Sequence, residues 1–138
     1  QRTVRVRLLE TAGIEQAFLT IKGQTSGISR AEFEYEIPVA DAQALLALCD
    51  GPLIEKARHR LPLHDGSGRC WEVDEFFGAN AGLVVAEIEL QQADQAFERP
   101  DWLGPEVSHD ARYFNSSLSR RPFSEWRDEP PVSPAPVR

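Results

Sequence analysis

The chain has 138 residues, the length of one compact domain, and 41% of them are hydrophobic, which is enough to form a core. Its formal net charge of −7 argues against duplex nucleic acid or an anionic membrane as the main partner. No apolar run reaches the roughly 18 residues of a membrane-spanning helix, and no signal peptide opens the chain, so we expect a cytoplasmic location. Cys49 and Cys70 lack metal-binding spacing and indicate neither a disulfide framework nor a zinc site.

Alternation of apolar and polar residues predicts three strands in the first third of the chain, over residues 3–10, 17–22 and 29–37. Ala12 and Gly13 provide a turn between the first two, and Pro38 ends the third. Asp41 then favours the N-cap of a short helix whose apolar spacing continues to Cys49.

Three further strands are predicted over residues 53–63, 69–77 and 83–90, the first two as a hairpin. Short helices are predicted over residues 92–98 and 115–120. Five of the ten prolines fall in residues 122–138, so we expect a disordered tail there and a folded domain over residues 1–121. The predicted fold class is mainly β (α+β), with antiparallel strands and a few short helices.

The polar positions of these six strands are almost all ionisable, and the signs come in blocks by strand: Arg5, Arg7, Lys22, then Glu32, Glu34, Glu36, then Lys56, Arg58, Arg60, then Glu72, Asp74, and finally Glu87, Glu89. An amphipathic sheet with its charged face in water is one interpretation. The alternative is a sheet curled into a barrel with both signs inside. Such a lumen would hold phosphate groups through its cations and divalent metal ions through its carboxylates.

Eight short segments occur in one order across residues 3 to 120: Arg5-Val6-Arg7, Leu19-Thr20-Ile21-Lys22, Ser29-Arg30-Ala31-Glu32-Phe33-Glu34, Ile54-Glu55-Lys56-Ala57-Arg58, Trp71-Glu72-Val73-Asp74-Glu75-Phe76, Ala86-Glu87-Ile88-Glu89-Leu90, Trp102-Leu103-Gly104, and Glu106-Val107-Ser108-His109-Asp110-Ala111-Arg112-Tyr113-Phe114-Asn115. In these segments the chain resembles the CYTH superfamily, also called triphosphate tunnel metalloenzymes. The resemblance implies an eight-stranded antiparallel barrel around a tunnel that binds a triphosphate with Mg²⁺ or Mn²⁺.

The resemblance also implies roles for individual residues. Phosphate contacts are expected from Arg5, Arg7, Lys22, Lys56 and Arg58, with Arg30 and Arg112 as further substrate-binding candidates. Metal binding is expected from Asp74, Glu87 and Glu89, which are also the expected catalytic residues. Glu32 and Glu34 are further inward-facing candidates for metal binding, with orientation of the basic side chains as the alternative role. Small bacterial members of the family with this chain length resemble inorganic triphosphatases, so the resemblance implies hydrolysis of inorganic tripolyphosphate as the function.

One family feature has no counterpart in the chain. The Glu-x-Glu-x-Lys segment of the family's first strand is absent, and six predicted strands are two fewer than eight, so we expect the N-terminal strands to be missing here. A chain without them favours the alternative of a non-catalytic phosphate-binding module. A class IV-type adenylyl cyclase and a thiamine triphosphatase of the same fold also stay open. The expected partner is a small-molecule triphosphate, with no nucleic acid or membrane, and a homodimer is one alternative for the oligomeric state.

Overall fold

A computed structural model of the chain describes residues 3–23, 31–92 and 94–132. The chain divides into two compact units, Gln1–Asp50 and Gly51–Arg138. Each unit contains one three-stranded antiparallel sheet. No helix among the described residues is both long and apolar enough to cross a membrane.

The first unit contains strands β1 (Thr3–Thr11), β2 (Ile14–Lys22) and β3 (Glu32–Ile37), in the order β1-β2-β3. A two-residue turn joins β1 to β2, with φ of 52° at Ala12 and 77° at Gly13. Two positive φ angles match the twist of a tight hairpin, which is why β2 begins directly after the turn, earlier than predicted.

Helix α1 (Val39–Ala47) follows β3, and Pro38 occupies its N-cap position. The prediction that Asp41 is the N-cap is wrong, because Asp41 lies inside the first turn. A carboxylate there still interacts favourably with the positive end of the helix dipole. The helix contacts β1 and β2, and Ala17 and Ala42 are fully buried.

The apolar face of the first sheet is only partly covered. Four of its side chains are 41% to 67% exposed: Val4, Ile21, Phe33 and Tyr35. The alternation therefore predicts which residues share a face, but not how much of that face is buried.

The second unit contains β4 (Lys56–Pro62), β5 (Cys70–Phe76) and β6 (Val84–Ile88), in the order β4-β5-β6. Helix α2 (Asn115–Leu118) and three 3₁₀ turns, Gly78–Asn80, Ala111–Tyr113 and Phe123–Glu125, complete it. The predicted helix over residues 92–98 is wrong for the described part of that stretch. The side-chain oxygen of Gln95 accepts a hydrogen bond from the Gln91 backbone N–H (2.8 Å), and the Phe97 ring packs edge-on against Trp71.

We predicted that the six strands form one sheet, but the structure pairs them in two separate three-stranded sheets. Strands β3 and β4 are separated in sequence by α1, and among the described residues no backbone ladder joins them. Alternation shows which side chains of a strand share a face, but it does not specify which strands pair with each other. The described strands therefore form two open sheets.

The core of the second unit includes residues that we expected in a disordered tail. Buried Phe76, Leu83, Leu118 and Trp126 form one cluster. Trp126 is 3% exposed, and its ring packs edge-on against Tyr113 and Phe123.

A backbone contact holds the same segment, because the Phe123 N–H donates to Asn80 Oδ1 at 2.8 Å. The tail prediction is therefore wrong for residues 122–132. Two aromatic side chains supply enough apolar area to dock a proline-rich segment. Residues 133–138 of the predicted tail lie outside the described residues.

Candidate functional site

Strands β1, β2 and β3 bring charged side chains together on one face of the first sheet. Arg5 is in register with Thr20, and Thr20 with Glu34, so these three side chains share that face. The Thr20 hydroxyl donates to Glu34 Oε2 at 2.8 Å and accepts a longer hydrogen bond of 3.4 Å from Arg5 Nη2. Arg5 and Arg7 each approach a Glu34 oxygen at 3.5 Å. We call this group, with Lys22 and Glu32, the first-sheet cluster.

The first-sheet cluster is largely exposed to solvent. The exposed side-chain fraction is 43% for Arg5 and Arg7 and 37% for Glu34. Lys22 Nζ lies 3.4 Å from Glu32 Oε2. The pKa of Glu34 is lowered, first by the hydrogen bond from Thr20 and then by the charges of Arg7, Arg5 and Lys22, which together outweigh its partial desolvation. Glu34 is therefore a carboxylate at neutral pH.

Strands β4 and β5 form a tighter arrangement around Asp74. Lys56 Nζ donates to Asp74 Oδ2 at 2.5 Å. Arg58 donates to both oxygens of the same carboxylate, from Nε at 2.7 Å and from Nη2 at 2.8 Å. Asp74 is 5% exposed, so two cations hold a buried carboxylate.

The same arrangement continues along the strands through Glu72. Arg58 Nη1 and Arg60 Nη2 donate to the two oxygens of Glu72 at 2.6 and 2.7 Å. Arg58 thus bridges two carboxylates of β5. We call Lys56, Arg58, Arg60, Glu72 and Asp74 the second-sheet cluster.

The charge states of the second-sheet cluster follow from these contacts. Burial would raise the pKa of Asp74, but the hydrogen bonds and charges of Arg58 and Lys56 outweigh it, and the pKa is lowered. The hydrogen bond to Asp74 in turn raises the pKa of Arg58, against some desolvation. Asp74 and Arg58 are therefore both ionised at neutral pH.

The other predicted metal ligands lie on or just after β6. Glu87 is in register with Glu72 and exposed, while Glu89 lies just beyond the last residue of β6 and is also exposed. Among the described residues, no three carboxylate, histidine or cysteine side chains converge as a metal site. The oxygen donors of Glu87 and Glu89 are of the type that Mg²⁺ and Mn²⁺ prefer. Both oxygens of Asp74 are instead engaged by Lys56 and Arg58.

Arg112 has partners different from those expected of a phosphate-binding residue. It contacts both oxygens of Asp110, the closest distance being 2.6 Å from Nη2, and it also reaches Glu129 at 3.4 Å and the Pro130 carbonyl at 3.3 Å. Its guanidinium lies 4.8 Å from the centre of the Trp126 ring. Arg112 therefore fastens the C-terminal segment of the second unit, and a role in substrate binding stays a prediction.

Arg30, the remaining candidate, lies outside the described residues. The sequence analysis did not assign Thr20, Arg60 or Glu72 to a site, although Arg60 and Glu72 belong to the ionisable positions. Thr20 is uncharged, but it lies two residues before Lys22 and shares its face. That spacing is the signal that could have identified it.

Comparison with known proteins identifies the protein family of the chain. The family model described as the CYTH domain matches residues 1–123. The chain belongs to the CYTH family.

Two curated relatives and a solved structure are similar to the chain. An inorganic triphosphatase of Acetivibrio thermocellus is 47% identical over 128 residues, covering 92% of this chain and 78% of that protein. An inorganic triphosphatase of Nitrosomonas europaea is 38% identical over 104 residues, covering 74% of this chain and 67% of that protein. The crystal structure of the inorganic triphosphatase NE1496 aligns with a TM-score of 0.62 at 31% identity, covering 84% of this chain and 72% of that one.

Proposed function

We propose that the chain is a metal-dependent triphosphatase that hydrolyses a phosphoanhydride bond of inorganic tripolyphosphate. The observation that carries the proposal is the pair of cation-rich clusters, each on one face of an antiparallel sheet, in a chain 47% identical to a protein named inorganic triphosphatase. The proposal includes the eight-stranded barrel and its tunnel, which the family resemblance and the fold similarity to NE1496 support.

In this proposal the cations bind and orient the polyphosphate chain. Arg5 and Arg7 present guanidinium groups that can contact phosphate oxygens in bidentate fashion, and Lys22 adds a point charge. Their contacts with Glu34 and Glu32 are 3.4 to 3.5 Å, so phosphate oxygens can replace those carboxylates at modest cost.

The second-sheet cluster supplies fixed positive charge. Lys56 and Arg58 are held in place by Asp74 before substrate arrives, so little reorganisation is needed as charge develops on the transferred and leaving groups. Attack by water in line with the departing phosphate needs no covalent intermediate.

We further propose that Glu87 and Glu89 hold the divalent cation, Mg²⁺ or Mn²⁺. Asp74 keeps Lys56 and Arg58 in place, and its own metal-binding role stays a prediction. When bound, such an ion neutralises charge on the phosphate oxygens. Glu32 and Glu34 belong to the same proposal as carboxylates that orient the cations of the first sheet. Glu87 and Glu89 fit the metal-binding role better than Asp74, because among the described residues no side-chain hydrogen bond or ion pair engages either of them, whereas both Asp74 oxygens are engaged.

A substrate panel tests the function. Phosphate release is measured from tripolyphosphate, ATP, thiamine triphosphate and pyrophosphate, each with Mg²⁺, with Mn²⁺ and with EDTA. We expect release from tripolyphosphate to be fastest and to stop in EDTA. Formation of cyclic AMP from ATP would replace the proposal with a cyclase, and binding of tripolyphosphate without turnover would replace it with a phosphate-binding module.

Glu87→Gln tests the metal assignment. We expect hydrolysis to be lost at low metal concentration, because an amide oxygen attracts a hard divalent cation less than a carboxylate does. The melting temperature without metal should stay level or rise, since Glu87 lies opposite the like charge of Glu72. Mn²⁺ binding followed by calorimetry provides a readout independent of turnover.

Glu75→Gln is the matched control for this variant, because Glu75 is an exposed carboxylate of β5 whose register position belongs to the opposite face. Near-native turnover and Mn²⁺ affinity in Glu87→Gln would remove Glu87 from the metal site.

A further inference from the structure

Thr20 occupies a central position in the first-sheet cluster. It is on the middle strand β2, flanked by Arg5 of β1 and Glu34 of β3, and it is fully buried although all the charged side chains around it are exposed or half-buried. Its hydroxyl group is both a hydrogen-bond donor, to Glu34 Oε2, and an acceptor, from Arg5 Nη2. A buried hydroxyl with two satisfied partners has one preferred orientation.

The contact between Thr20 and Glu34 is the shortest in the cluster. It measures 2.8 Å, whereas Arg5 and Arg7 lie 3.5 Å from the same carboxylate. Thr20 therefore fixes the position of Glu34 more firmly than either arginine does, because distances near 3.5 Å are at the limit of a hydrogen bond. Glu34 in turn determines how far the two guanidinium groups are drawn away from a bound anion.

We propose that Thr20 is a positioning residue for the phosphate-binding cations of the first sheet, an inference that rests on the function proposed above. The hydroxyl holds Glu34 at a distance from which Arg5 and Arg7 can exchange the carboxylate for phosphate oxygens. Without the hydroxyl, Glu34 has only the two arginines as partners and draws them closer. The anion must then compete with a tighter ion pair.

The experiment compares Thr20→Val with Thr20→Ser in the full chain. Tripolyphosphate binding is measured by calorimetry in EDTA, and KM and kcat are measured with metal. We expect Thr20→Val to weaken binding and raise KM by about tenfold, the effect of one hydrogen bond to a charged group, with kcat changed far less. Thr20→Ser keeps the hydroxyl group and should stay within about twofold of the wild type.

Thr11→Val is the matched control, because Thr11 is exposed at the end of β1 and belongs to no cluster. It should bind tripolyphosphate like the wild type. If Thr20→Val does not fold, Thr20→Cys replaces it, since a thiol of similar size is a much weaker donor and should also weaken binding.

A double-mutant cycle with Glu34→Gln shows whether Thr20 acts through Glu34, because coupled residues are non-additive. We expect Thr20→Val to cost clearly less in the Glu34→Gln background than alone. Unchanged binding in Thr20→Val, failure of serine to restore it, or strict additivity would overturn the proposal.

The two proposals fail in different ways. Wild-type protein that binds tripolyphosphate without hydrolysing it, and loses affinity on Thr20→Val, would overturn the proposed function and support the role of Thr20. Hydrolysis that is insensitive to Thr20→Val would overturn only the role of Thr20. Wild-type protein that does not bind tripolyphosphate would overturn both.

Discussion

Arg5 and Arg7 approach Glu34 at 3.5 Å in the first sheet, whereas Lys56 and Arg58 hold Asp74 at 2.5 to 2.8 Å in the second. The carboxylates differ as well, since the Glu34 side chain is 37% exposed and the Asp74 side chain 7%. The two sheets have the same three-stranded antiparallel order and the same alternation of apolar and charged residues. Equivalent sequence patterns thus produce a loosely paired, solvated cluster and a tightly paired, partly buried one.

The physical difference is the cost of separating the charges. Exposed pairs contribute about 0–1 kcal/mol to the free energy of unfolding, and their members exchange partners readily. A carboxylate removed from water needs its cations, and leaving it unpaired is costly. We therefore expect the first sheet to adapt to a ligand and the second to present fixed charge.

The same contrast extends to packing, and Trp126→Ala gives the largest expected effect on stability. Trp126 belongs to the aromatic core of the second unit, so its loss should lower the free energy of unfolding by about 3–5 kcal/mol. Phe33→Ala is the comparison variant in the first unit, where the ring is 56% exposed, and it should cost about 0.5 kcal/mol. Urea unfolding monitored by circular dichroism measures both. Equal costs would mean that the two units do not differ in packing.

Removal of the central carboxylates tests the electrostatic contrast directly. Asp74→Ala should lower the free energy of unfolding by about 2–3 kcal/mol, because it leaves Lys56 and Arg58 without their shared partner in a partly buried site. Glu34→Ala should lower it less, because the ion pairs of Glu34 are exposed, even though the Thr20 hydroxyl loses its acceptor. Urea unfolding measures the free energy of unfolding of both variants. A larger loss for Glu34→Ala than for Asp74→Ala would contradict the expectation that the carboxylate of the second sheet is the more tightly paired one.

The acid sensitivity of the Asp110–Arg112 pair gives a smaller effect on stability. The hydrogen bonds from Arg112 lower the pKa of buried Asp110, against some desolvation. A carboxyl group with a lowered pKa in the folded state contributes stability that is complete above its unfolded pKa of about 3.9 and is lost as pH falls through the folded pKa. Asp110→Asn should therefore be less stable than the wild type at pH 6 and approach it at pH 2.

Urea unfolding at both pH values checks this prediction. The exposed Asp128→Asn is the control, since Asp128 has a 96% exposed side chain and should show no such convergence. An Asp110→Asn deficit that is equal at both pH values would show that the Asp110–Arg112 pair does not stabilise the fold through its charge.

Local patterns were sufficient to predict most of the strands. The pleat of a strand places alternate side chains on opposite faces, so the shared faces of Arg5 with Glu34, and of Arg58 with Asp74, follow from the alternation and are confirmed by the register. The family assignment is confirmed as well, because the quoted segments lie within the matched residues 1–123.

The helix predictions were less accurate because short polar segments carry weak local signals. Residues 92–98 contain a suitable pattern, but the packing of Phe97 on Trp71 and the side-chain bond of Gln95 occupy that stretch instead. Asp41 is a good N-cap residue by type, yet Pro38 precedes the helix and starts it earlier.

The sequence by itself determined the strand periodicity, the blocks of charge and the family, since each depends on residues that are close in the chain. Only the tertiary structure decided that Thr20 lies between Arg5 and Glu34, that Arg112 fastens the C-terminal segment, and that Trp126 completes the core around Phe76. Those contacts join residues from different elements. The free energy of such contacts depends on burial and geometry, which no local pattern contains.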